Sequence, residues 1–67
     1  MTMTEAELKR AVRTGRVRPF RMPHHDWATL KALVGADPSR YQTFTHEGRD
    51  AILRDNRDGT YTLFVQD

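Results

Sequence analysis

Six side chains between Lys9 and Arg21 are positively charged and none is acidic: Lys9, Arg10, Arg13, Arg16, Arg18 and Arg21. The chemistry open to such a run is electrostatic. It places a cationic surface on a chain whose net charge is only +2, and its expected use is to meet an anionic partner. Arg10, Arg13, Arg16, Arg18 and Arg21 are the residues expected to supply that contact. The charge is also unevenly divided: residues 1–34 carry +4 and residues 35–67 carry −2, a split that steers a partner from one side.

Three readings compete for the run. An acidic macromolecular surface, a protein foremost, is the expected partner. Nucleic acid is the alternative, with the same arginines straddling a phosphate backbone. The third reading is an ordinary solvated arginine face, the commonest fate of charge runs. Acidic residues are plentiful elsewhere, aromatics make up 9% of the chain, and no zinc-finger or RNP pattern is present. A connection of about a dozen residues between the two expected helices is too long for a helix-turn-helix, whose turn spans roughly three to four residues.

Two further groups of side chains have chemical potential. His24-His25-Asp26 and His46-Glu47 contain types that ligate metals, but adjacent residues point apart and no HxxxH or HExxH pair sets two ligands on one helical face. Capping and turn roles are expected for them, with no metal and no cofactor. Tyr41, Tyr61, Phe64 and Arg54 are of types that dominate interface energetics, and an aromatic sheet face stacks unpaired bases in some RNA-binding folds. Core membership is the simpler expectation for them.

Catalysis requires a nucleophile, a base and an orienting group inside a water-excluding cleft. No such combination is legible: Thr43, Thr45, Thr60 and Thr62 follow β propensity, and Asp55 and Asp58 flank a turn where aspartate is favoured. A non-enzymatic protein is expected. Sixty-seven residues give a single small domain in which every apolar side chain counts. Cysteine is absent and no run of 18 apolar residues or signal-type segment occurs, so a cytoplasmic protein without a membrane association is expected.

The elements that must position these side chains are readable from spacing. Thr4 as N-cap, Glu7 three residues later and Met3 against Leu8 open a helix over about 4–14, closed by Gly15. Leu8, Ala11 and Val12 form its apolar face; Lys9, Arg10 and Arg13 lie on the opposite arc. Residues 16–22 read as a short extended segment that Pro19 confines to a sheet edge. A second helix over about 24–34 has Asp26 as cap, Trp27, Leu30, Leu33 and Val34 as its apolar positions, and Gly35 with Pro38 as its stop.

From Tyr41 the period becomes two, giving strands over about 41–46, 50–55 and 60–66 separated by Glu47-Gly48 and Asn56-Arg57-Asp58-Gly59. The expected fold class is α+β, in the order α-β-α-β-β-β, with a C-terminal three-stranded antiparallel meander, a short fourth edge strand and two helices. With these turns, Phe44, Ala51 and Phe64 share one sheet face, joined by Leu53, while Ile52, Tyr61, Leu63 and Val65 share the other. Both faces are apolar, so either one helix covers each or one face stays partly bare. Phe44 and Phe64, if exposed together, would mark a homodimer seam or a docking site, and a structural homodimer subunit is the second alternative function.

Overall fold

The computed structural model describes residues 3–67. Helix α1 (Glu5–Arg13) begins at the capping box that the sequence spells out. The Glu7 N–H donates to Thr4 Oγ1 (3.2 Å) and the Thr4 N–H donates back to Glu7 Oε1 (3.3 Å), which satisfies two otherwise orphaned donors. Met3 and Leu8 are both buried in the same cluster, as a hydrophobic staple requires. Gly15, with φ +81°, turns the chain into the edge strand β1 (Val17–Met22).

Helix α2 (His24–Ala36) differs from expectation at both ends. Its N-cap is Pro23, which makes no side-chain cap bond; the N–H groups of Asp26 and Trp27 donate to the Pro23 carbonyl, and Asp26 lies inside the first turn. A carboxylate there still favours the positive end of the helix dipole. Gly35 does not stop the helix. The other half of the expected stop acts instead: the helix ends two residues later, at Asp37, because Pro38 disfavours helical backbone in the residue before it.

Strands β2 (Tyr41–His46), β3 (Arg49–Asp55) and β4 (Tyr61–Gln66) form the antiparallel meander, and β1 completes a four-stranded sheet in the order β1-β4-β3-β2. The sheet is mixed, since β1 runs parallel to β4. Direction follows from the connections. A helical crossover returns the chain so that β2 points the same way as β1, and two successive reversals point β4 along β2.

The register of β4 corrects the expected faces. Asp55 pairs with Tyr61, so residues 56–60 form the loop and Thr60 belongs to it. The Asn56 N–H donates to the Thr60 carbonyl, and two left-handed residues, Arg57 (φ 61°) and Gly59 (φ 90°), accommodate the fifth residue. Asp58 Oδ1 accepts from the Thr60 hydroxyl and N–H, and these bonds hold the Asp58 carboxyl below its ordinary pKa. One extra loop residue moves every β4 side chain to the opposite face. Phe64 therefore joins Ile52, whereas Tyr61, Leu63 and Val65 join Ala51, Leu53 and Phe44.

One helix covers each face. Leu8 and Ala11 of α1 pack with Met3, Val17, Ala51, Leu53, Leu63 and Val65; Trp27 and Leu30 of α2 pack with Ile52 and Phe64. The N-terminal segment is tied across the sheet by Gln42, whose amide accepts from the Met3 N–H (2.8 Å) and donates to the Met3 carbonyl (2.7 Å).

The β2–β3 hairpin turns on Glu47 (φ 53°) and Gly48 (φ 77°), both left-handed, the geometry of a two-residue primed turn. Glycine suits that conformation and glutamate does not. Glu47→Asn should stabilise the domain by about 0.5–1 kcal/mol, since asparagine visits the left-handed region at lower cost. Urea unfolding checks this, and an unchanged midpoint would mean that position 47 stores no strain.

Candidate interaction surface

The cationic run is divided by the fold. Leu8 and Ala11 turn inward, which leaves Lys9, Arg10 and Arg13 on the solvent side of α1, and Arg16 follows them, exposed, in the connection to β1. Arg10 and Arg16 line an open groove on one flank of α1 with Met3, Glu7, Thr14 and Tyr61. On the opposite flank, Lys9 and Arg13 line a second groove with Val12 and His46. The α1 layer thus carries four cations from one flank to the other. Among the described residues, none of the four has a carboxylate oxygen within 4.0 Å.

Arg18 and Arg21 separate from this group because strand side chains alternate. Arg21 lies on the α1 side of the sheet and its Nε sits 3.4 Å from the Asp67 carboxylate. Arg18, paired with Thr62, lies on the α2 side. Arg10, Arg13 and Arg16 are therefore brought together with Lys9, and Arg18 is not.

Phe44 and Phe64 do not form a common patch. They lie on opposite faces of the sheet; Phe64 is 9% exposed within the α2-side core, and Phe44 is half-buried against the α1-side core. The one-residue longer loop before β4 is the cause. Tyr41 and Tyr61 also sit on opposite faces, each half-buried against the core of its own side.

A different aromatic is exposed. Phe20 of β1 is 54% accessible and meets Phe64 edge to face, with ring centroids 6.0 Å apart. The Arg54 guanidinium lies 5.1 Å from the Phe64 centroid and its Nε donates to Asn56 Oδ1. Arg18 shares this side of β1 with Phe20. An exposed ring with a cation on the same face of its strand is what sequence reading missed. The signal lay in the alternation of Arg18, Phe20 and Met22 on a strand that Pro19 had marked as an edge.

The histidines stay apart. His24 and His25 are exposed at the start of α2, with His25 Nε2 3.5 Å from Asp26, while His46 is 3.9 Å from Glu47 near the hairpin tip. Among the described residues no three His, Asp or Glu side chains converge as a metal site would require. No described helix is long and apolar enough to cross a membrane. The chain matches no protein-family model, and no curated protein or solved structure matches it.

Proposed function

We propose that this chain is a non-enzymatic binding module of the regulatory, adaptor or inhibitor kind, whose partner is a macromolecule with an acidic contact surface, a protein foremost. The observation that carries the reading is the group of four exposed cations on and just after α1, Lys9, Arg10, Arg13 and Arg16, none with a carboxylate oxygen within 4.0 Å among the described residues. Charges left unneutralised on one layer raise the potential there, steer an anionic surface toward it and set its orientation. The grooves on either flank of α1 give an approaching chain apolar contact with Val12 and Met3 once it has arrived. We place this encounter in the cytoplasm, where a small domain without cysteine needs no disulfide.

A second reading, contact with single-stranded nucleic acid, is favoured by Phe20, an exposed ring that shares its strand face with Arg18. Aromatic stacking combined with nearby cations is the usual means of holding unpaired bases. Binding isotherms for a poly-glutamate peptide and for a mixed-sequence DNA oligonucleotide, taken from about 20 mM salt upward, separate the two. Poly-glutamate should bind at the lowest salt and be released as screening grows, with Phe20→Ala leaving it unaffected. Absence of poly-glutamate binding at the lowest salt sinks the first reading. Oligonucleotide binding that Phe20→Ala weakens at least tenfold would replace it with the second.

A further inference from the structure

The two edges of the sheet are built differently. In β1 the ladder phase is fixed by the Tyr61 N–H donating to the Arg16 carbonyl and the Asp67 N–H donating to the Met22 carbonyl. Even-numbered residues of β1 therefore bond β4, and Val17, Pro19 and Arg21 turn their backbone groups outward. Proline in the middle of that open row removes a donor, and a charged residue follows it. Both are devices that keep an edge from pairing.

The β2 edge has neither. The Asp55 N–H donates to the Arg40 carbonyl, and the pairs Gln42–Leu53, Phe44–Ala51 and His46–Arg49 continue the same phase. The backbone groups of Tyr41, Thr43 and Thr45 consequently face outward. Among the described residues no backbone hydrogen bond from elsewhere reaches them. Thr43 and Thr45 are exposed, and Tyr41 to Thr45 contains no charged residue, no proline and no glycine. A strand with these properties is a template for another strand.

The outward residues also pair favourably with those of a second copy. Centred on Thr43, an antiparallel copy of β2 sets Thr43 against Thr43 and Tyr41 against Thr45 on each side of a two-fold axis. Those are a threonine–threonine pair and two aromatic–β-branched pairs, combinations that stabilise neighbouring strands. Three doubly bonded pairs give about six backbone hydrogen bonds. Within β2 no charge opposes its own image on the axis, and Arg40, at the end of the seam, has its Nε bonded to the Asp55 carbonyl of its own chain. Both α2 helices then lie on one side of a continuous sheet. The groove that Trp27, Lys31 and Val34 form beside Thr43 becomes shared between the copies.

We propose that this protein forms a two-fold dimer by antiparallel pairing of β2 with β2 of a second copy, in the register that places Thr43 on the axis. The inference is independent of the cationic layer on α1, which lies on the other face of the sheet.

Because the chain has no cysteine, Thr43→Cys introduces a single thiol. A hydrogen-bonded antiparallel pair sets the two Cα atoms about 5.5 Å apart, within disulfide range. Under mild oxidation Thr43→Cys should cross-link at least tenfold faster than Arg18→Cys, an exposed site on the opposite edge strand, and wild type should sediment as a dimer within about 10–500 µM. Thr43→Pro removes an outward N–H without touching the β2–β3 ladder and should weaken the dimer at least tenfold. Thr43→Lys, which sets two like charges face to face, provides the same test should the proline variant unfold. A wild-type monomer throughout that range, a dimer that survives in the folded variant, or equal cross-linking at positions 43 and 18 would each overturn the proposal.

Discussion

Replacing Leu63 with alanine is expected to remove most of the stability of this domain. Leu63 is 0% exposed, lies on the inner strand β4 between Pro19 of β1 and Leu53 of β3, and belongs to the cluster capped by α1. Truncating a buried leucine costs about 3 kcal/mol or more, the sum of lost transfer energy and the cavity left behind. A domain below roughly 70 residues seldom has more than about 3–5 kcal/mol in total. Thermal unfolding followed by circular dichroism should move down by roughly 15 °C or the variant should lack a cooperative transition. Leu33→Ala, at a position 46% exposed on α2, serves as the contrast and should stay within about 0.5 kcal/mol of wild type. If the two substitutions cost the same, the division into core and surface drawn above is wrong.

Neutralising Arg10, Arg13 and Arg16 together with glutamine is the second large effect, and it falls on binding. Three removed charges change the net charge from +2 to −1. All three side chains are exposed, so the fold should survive. Arg10 and Arg13 lie in the last turn of α1, where loss of a cation costs at most about 1 kcal/mol through the helix dipole. Affinity for poly-glutamate at low salt should fall on the order of a hundredfold, chiefly through slower association. Arg18→Gln with Arg21→Gln should cost much less, because one of these sits on the opposite face and the other is already paired with Asp67. Equal losses from the two sets would show that total charge matters and position does not.

Much of the architecture is legible in the sequence. Thr4 and Glu7 announced a capping box that forms, Pro19 announced an edge strand, and the change of period at Tyr41 announced the meander. What escaped was decided by single residues in the connections. Nothing local distinguishes a four-residue from a five-residue loop after Asp55, because Asn56 and Gly59 serve either. Yet that one residue sends Phe64 to the α2 side and Leu63 to the α1 side. Pairing of β1 with β4 was hidden for another reason: it joins residues more than forty positions apart, and its parallel sense follows from the crossover through α2. The cationic run itself was plain, but its coherence was not. A linear cluster says nothing about which members alternate across a strand, and Arg18 is lost to the group on that account.

The position of β4 has a consequence for how the chain comes to be folded. This strand lies between β1 and β3, yet it is the latest of the elements in chain order. Until residues 61–66 are in place, β1 has no strand to pair with and β3 has one open edge. Closure of the sheet therefore waits for this strand. A nascent polypeptide stalled near residue 60 would offer proteases and chaperones an unclosed sheet, and the six-residue strand β4 would act as the clasp that closes it.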